Sequence, residues 1–201
     1  MIKADLHNHT TFSDDSVIKP RDLVELLVSH PTVKVAAVTD HGTVKGVEIV
    51  RKLASHYPDI LIIPGVEITT VEGDIVLLGT EELPPKPWTV ECVVDYARKT
   101  NCVSIAAHPF REWGLGEAAK TSGIDAIEVL NGASSIDANR QARKLAQDAG
   151  LPGVAGSDSH RPSELFSVHT QIQASLDVDS ILRAIKKGLV SISPGWKSIR
   201  F

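Results

Sequence analysis

Histidines and acids crowd the start of this sequence. In KADLHNHTTFSDDS (3–16), His7 and His9 stand two residues apart behind a short apolar start, and Asp14 and Asp15 follow. Residues i and i+2 of a strand share a face, so the two imidazoles converge on one point. Converging imidazoles with carboxylates close by form a donor set for a divalent metal. GSDSH (156–160) repeats the arrangement with Asp158 and His160. Single metal-type residues stand in three further apolar contexts: His41 in TDHG, Glu67 in PGVE and His108 in AAHP. With Asp14 or Asp15 added, these are too many donors for one four-coordinate ion with an open position. They suit two or three ions sharing a carboxylate. Glu67 is the natural bridge, as the only glutamate expected at a strand end. Nitrogen and oxygen donors without thiolate suit zinc, manganese or iron.

The elements around these residues explain why they would meet. Short apolar runs at 33–42, 59–69, 73–79, 102–109, 125–131 and 151–160 read as buried strands, with weaker candidates at 167–174 and 189–194. Helical periodicity lies between them, in KPRDLVELLVSH, TVKGVEIVRKLASHY, TVECVVDYARKT, SIDANRQARKLAQDAG and DVDSILRAIKKG. Gly150 and Gly188 fall where helix C-caps are expected. Strands alternating with helices argue for parallel βαβ units. Continuous apolar strands argue for a sheet covered on both faces or closed into a barrel. His7, His9, His41, Glu67, His108, Asp158 and His160 would all sit at C-terminal strand ends, where α/β barrels assemble active sites. The other three histidines read as structural: His30 and His56 near helix ends, where the dipole favours them, and His169 beside a weak strand.

The bulk properties narrow the function further. The 201 residues fit one domain spanning 1–201, with 42% hydrophobic and 23% charged residues. A net charge of −4 gives no basic footprint, so no extended nucleic-acid surface is expected, though a local patch could hold one phosphate. Cys92 and Cys102 sit in apolar surroundings and read as buried thiols in a reducing cytoplasm. Lys3, Asp5 and His7 interrupt any signal-peptide pattern, and no run is long enough for a bilayer.

The successive motifs DLHNHTTFSDD, TDHG, PGVE, AHP and GSDSH resemble those of the polymerase and histidinol phosphatase (PHP) superfamily, in family order from residue 5 to residue 160. The resemblance implies a distorted (β/α)7 TIM-like barrel with a trinuclear centre that hydrolyses phosphoesters through metal-bound hydroxide. It implies one metal on His7, His9, Glu67 and Asp158, and a second on Glu67 and His108. The third would be held by Asp14, His41 and His160, with Asp14 preferred over Asp15 because relatives place their acid five residues after the second histidine. Asp74 stands where many relatives carry a further histidine ligand; it reads equally as a ligand or as a turn residue after Gly73. The catalytic assignment falls on Glu67, His41 and His160, the two histidines being able to orient water or donate a proton besides binding metal.

The substrate expected is a small phosphomonoester or nucleotide, or the phosphate end of a short oligonucleotide. Arg111, after AHPF, and Arg161, after His160, are candidates for bidentate phosphate recognition. Trp113 would either stack on a ring at the rim of the pocket or pack as core or lid. No stretch is long enough to build a cap, so an open site is expected. Three other activities remain compatible: an exonuclease or phosphodiesterase acting on oligonucleotide ends, a non-catalytic metal-binding regulatory module, and hydrolysis of amides or lactones.

Overall fold

In a computed structural model, residues 1–192 are described. The expected strand at 189–194 can be followed only to Ile192, residues 193 and 194 lying outside the described residues. The elements run β1 (Ile2–Asp5), α1 (Pro20–Ser29), β2 (Val35–Val38), α2 (Lys45–Ala54), β3 (Leu61–Thr69), β4 (Asp74–Leu78) and α3 (Val90–Thr100). They continue with β5 (Val103–Ala106), β6 (Ala126–Asn131), α4 (Ile136–Ala149), β7 (Gly153–Gly156), β8 (Thr170–Ile172), α5 (Val178–Lys186) and β9 (Val190–Ile192). Two short 3₁₀ turns cover Gly116–Lys120 and Pro162–Glu164. Gly150 ends α4 in the left-handed conformation at φ 64°, and Gly188 follows α5 at φ 68°.

One sheet holds all nine described strands, in the order β7-β6-β5-β4-β3-β2-β1-β8-β9. The chain leaving β1 then meets the chain leaving β7. Asn8 bridges Ser159 in parallel, Asp158 N donates to His7 O at 2.8 Å, and His9 N donates to Ser159 O at 3.1 Å. This seam makes the sheet a nearly closed, distorted barrel.

Not every strand runs parallel. β1, β2 and β3 are mutually parallel, as are β5, β6 and β7, but β4 is antiparallel to both β3 and β5. β8 is antiparallel to β1 and to β9. The reversal of β4 has a simple cause: residues 70–73 form a tight turn, far shorter than the dozen or so residues that a parallel crossover needs. It matters for the site, because a reversed strand begins where its neighbours end. Asp74, the first residue of β4, therefore lies at the same end of the barrel as Glu67.

Burial on both faces accounts for the continuous apolar strands. In β2, Val35 and Ala37 join an interior cluster, whereas Ala36 and Val38 face the cluster formed with α1 and α2. In β4, Val76 and Leu78 point inward, and Ile75 and Leu77 pack in the cluster that holds α3 and α4 residues. Ile181, Leu182, Ala184 and Ile185 of α5 enter the interior cluster. Leu182 lies against Gly79, at the far end of β4, so α5 plugs the barrel opposite the polar end.

Candidate metal centre

The polar end gathers eight of the nine expected ligands. Glu67 is fully buried at its heart. Its Oε2 lies 3.2 Å from His7 Nε2, 3.3 Å from His9 Nε2 and 3.1 Å from His41 Nδ1, and its Oε1 lies 3.1 Å from His108 Nε2. Asp158 Oδ1 stands 3.6 Å from His7 Nε2 and 3.3 Å from His9 Nε2. Asp74 Oδ2 approaches His108 Nε2 at 3.9 Å. The ring of His160 stacks on that of His9 with centroids 4.3 Å apart.

Asp15, rather than the expected Asp14, completes the third group of donors. Its Oδ2 is 3.5 Å from His41 Nε2 and 3.2 Å from His160 Nε2, whereas exposed Asp14 makes no ion pair with these histidines among the described residues. The turn is pinned on both sides. Ser13 Oγ donates to Asp40, and Ser16 Oγ donates to the carbonyls of His9 and His160, which draws residue 15 against His160. Arg161 also departs from expectation. Pro162 opens a 3₁₀ turn, and the Arg161 side chain is exposed and paired with Glu164 instead of reaching the cavity. Arg111 does reach it: its Nη1 lies 2.5 Å from Asp158 Oδ2.

Hydrogen bonds around the centre fix which nitrogen each imidazole turns inward. Ser13 Oγ gives its single proton to Asp40 Oδ1 and accepts from His41 N, so the 3.2 Å contact with His9 Nδ1 must be donated by the imidazole. His7 Nδ1 donates to Glu128 Oε1 at 3.1 Å, and His160 Nδ1 donates to the carbonyl of Asp158 at 3.0 Å. All three histidines thus turn Nε2 towards the centre as the nitrogen left for a metal, which is how metal-ligating histidines are usually held. Three buried atoms here, His9 Nε2, Asp74 Oδ1 and His108 Nδ1, have no hydrogen-bond partner among the described residues. Buried polar atoms are normally satisfied, and carboxylates packed this densely need cations. Among the described residues, the donor atoms of His7, His9 and Glu67 lie within 4.8 Å of one another. The same holds for Glu67, Asp74 and His108, and for His9, His41 and His160. These residues fit divalent metal ions.

Sequence reasoning overlooked the layer behind the ligands. Glu128 is buried in β6, and while its Oε1 holds His7, its Oε2 accepts from His108 N at 2.8 Å and Asn131 Nδ2 at 2.9 Å. Asn131 Nδ2 also donates to Asp158 Oδ2 at 3.1 Å. Asp5 accepts from the backbone of Ser157, Phe166 and His7; its complete burial outweighs these bonds and pushes its pKa up to about 6. Two of the ligand candidates, His108 at φ 25° and Asp158 at φ 52°, adopt left-handed backbone. That region costs a non-glycine residue on the order of 1–3 kcal/mol and is common at functional sites.

The seam leaves no room beneath His7. A Cβ on Gly156 would lie 2.4 Å from His7 Cβ and 2.6 Å from Glu128 Oε1. Gly156→Ala is expected to destabilise the fold by roughly 1–3 kcal/mol, as overpacking does. The drop would be read as a lower urea midpoint, and an unchanged midpoint would mean the seam is looser than described.

Charge balance predicts a proton exchange. Burial alone would lower the pKa of His7, but Asp158, Glu67 and Glu128 override it and hold the imidazole well above its usual value. Burial is likewise overridden at His41 and His108, chiefly by Glu67, and both are raised. Burial opposes ionisation of Glu67 and Asp158 too, yet the surrounding histidines hold both well below the carboxylate range. At pH 6.5 the metal-stripped protein therefore carries protons on these imidazoles, and an ion must displace them. Metal affinity should rise with pH, by about tenfold per unit for each proton released. Calorimetry in buffers of different ionisation enthalpy counts those protons; none released at pH 6.5 would contradict the protonation described.

Comparison with known proteins gives a consistent picture. A family model described as PHP-associated matches residues 137–190. An uncharacterised protein of Methanocaldococcus jannaschii is 30% identical over 166 residues, covering 74% of this chain and 96% of that one. A two-domain protein from Bacteroides vulgatus, which contains a predicted PHP-like metal-dependent phosphoesterase, superposes with a TM-score of 0.78 at 21% identity; the match covers 96% of this chain and 64% of that one. An amidohydrolase from Chromobacterium violaceum with bound sulfate superposes at 0.69 with 18% identity, covering 94% and 97% of the two chains. Endonuclease Q, bound to a duplex with an abasic lesion, superposes at 0.63 with 16% identity, over 92% of this chain and 56% of that one.

Proposed function

Because the chain belongs to the polymerase and histidinol phosphatase (PHP) superfamily, we propose that it is a metal-dependent phosphoesterase acting on small phosphomonoesters or nucleotides. The observation that carries this reading is the convergence of four imidazoles on the buried Glu67 carboxylate, beside a cavity of about 270 Å³ that Arg111 and His160 also line. We read the whole chain, 1–201, as one such unit. His7, His9, Glu67 and Asp158 would hold one ion, Glu67, Asp74 and His108 a second, and Asp15, His41 and His160 a third, with zinc, manganese or iron as the metal. Bound ions would neutralise phosphoryl oxygens and lower the pKa of coordinated water from about 15.7 towards roughly 7.

The chain's own groups supply the rest. Glu67 uses both oxygens and so ties two ligand sets together. Arg111 sits where its guanidinium can exchange part of its contact with Asp158 for a substrate phosphate. His41 Nε2 and His160 Nε2 face Asp15 on the open side of the site; they would hold the third ion there, and in an enzyme that binds only two ions the same nitrogens could hold a proton for the departing oxygen. Loop 107–125 bears only one short 3₁₀ turn, which supports an open mouth suited to small substrates or a chain end. Among the described residues no helix is long and apolar enough to cross a membrane, and Cys92 and Cys102 are free thiols. The free thiols suit a reducing compartment, and we propose the cytoplasm.

The test is elemental analysis of protein purified without chelator, followed by assays with manganese or zinc. The substrates would be phosphomonoesters, phosphodiesters, short oligonucleotides, amides and lactones. Two or three metals per chain with release of phosphate is the expected result. Turnover of oligonucleotides alone would favour an exonuclease, and turnover of amides or lactones alone would replace the phosphoesterase reading. Bound metal with no turnover would leave a regulatory module.

A further inference from the structure

We infer that Trp113, with Glu112 beside it, forms a subsite for a planar nitrogenous ring, so that the favoured substrates are nucleoside phosphates. This rests on the phosphoesterase reading and names the substrate class for the same cavity.

Trp113 lines that cavity, yet its residue is 65% exposed. A tryptophan that closed a core or a lid would be covered. Trp88 provides the contrast: its indole N–H donates to Pro84 O, and Lys86 Nζ lies 4.7 Å over its ring. The backbone of Trp113 is left-handed at φ 65°, a conformation that a bulky residue adopts only when its surroundings impose it. Those surroundings are explicit. Arg111 N donates to His108 O, Gly114 N to Arg111 O, and Gly116 N to Pro109 O. The carbonyl of Trp113 itself accepts from Asp74 N at 2.7 Å. Gly114 is wrapped so closely that a Cβ there would lie 2.5 Å from His108 O. The indole is thus held out over the cavity on a fastened loop, one backbone hydrogen bond from the candidate ligand Asp74.

Strained backbone that displays an uncovered aromatic side chain beside a reactive centre points to ligand contact rather than packing. A flat indole face recognises a flat ring, and such stacking is tolerant of base identity. Arg111, two residues earlier, lies next to Asp158 and can take the phosphate. Glu112 also lines the cavity, and its carboxylate disfavours a second phosphate there while accepting from amino or hydroxyl groups. Phosphate near Arg111 and ring over Trp113 describe a nucleotide, either free or at the end of a short oligonucleotide.

The experiment compares the manganese-loaded enzyme on a nucleoside 5′-monophosphate, on ribose 5-phosphate, which keeps the phosphate but lacks the base, and on a 5′-phosphorylated dinucleotide. Wild type should favour the base-bearing esters in kcat/KM by about tenfold to a hundredfold, the range expected from stacking one base. Trp113→Ala should collapse that ratio towards one, and Trp113→Phe should keep most of it. Preference between mononucleotide and dinucleotide tells free nucleotide from chain end. Equal turnover of base-bearing and base-free esters by wild type would overturn the inference, as would a ratio unchanged in Trp113→Ala. If no phosphoester is turned over, the phosphoesterase reading fails on its own. Calorimetric binding of the same ligands then decides the ring subsite, equal affinity with and without the base overturning it.

Discussion

Glu67→Gln should abolish turnover and cost the protein at least one bound metal. Gln is isosteric, so the change removes charge and leaves the volume. The Glu67 carboxylate meets three imidazoles through Oε2 and a fourth through Oε1, all between 3.1 and 3.3 Å. A carboxamide offers one acceptor oxygen, and its NH₂ would point at nitrogens that here have to donate lone pairs inward. It cannot bridge two cations. The loss in kcat/KM should therefore exceed the roughly 10–100-fold expected when an outer partner of a metal ligand is removed. Elemental analysis and steady-state kinetics on the same preparation make the test, with circular dichroism to show that the barrel is intact. A folded Glu67→Gln protein with wild-type metal content and turnover would remove Glu67 from the centre.

Much of the fold was legible because its elements repeat simple periods. In α3 the buried Val90, Val93, Val94 and Ala97 fall on one helical stripe, and Thr89 caps it by accepting from Cys92 N. The apolar runs of β2, β4 and β5 are buried along their whole length, so they read as two-sided strands. Strand direction was less accessible. The four residues between Thr69 and Asp74 do rule out a parallel crossover, a signal present in the chain. The reversal of β8 beside β1 has no such local mark.

The ligand candidates stood out because polar residues closing apolar strands are conspicuous. Choosing between adjacent acids was a different matter. Asp14 and Asp15 share chemistry and neighbours in sequence, and only the turn pinned by Ser13 and Ser16 selects Asp15. Arg161 adjoins His160 in sequence, but the backbone turns away at Pro162. Glu128 stayed hidden inside AIEVLN, where it reads as one strand residue among others. Its signal is a lone charge in a strand buried on both faces, a position that demands partners.

That hidden position carries the second large prediction. Glu128 holds the backbone of His108 and the side chain of Asn131 through Oε2, and His7 Nδ1 through Oε1. Glutamine at 128 has one oxygen for these three donors. Placing that oxygen at the Oε2 position satisfies two of them and turns the NH₂ towards His7 Nδ1. In the neutral imidazole that a metal requires, that nitrogen must then accept, which moves the one remaining proton to Nε2, the atom facing Glu67 and Asp158. A proton there occupies the lone pair that a metal needs. Glu128→Gln should thus lower metal affinity by about 10–100-fold without touching a ligand. Competition with a chelator measures the affinity, and nitrogen chemical shifts of His7 report its tautomer. Wild-type affinity together with an unmoved His7 proton would show that Glu128 supports the backbone of His108 and does not set the state of His7.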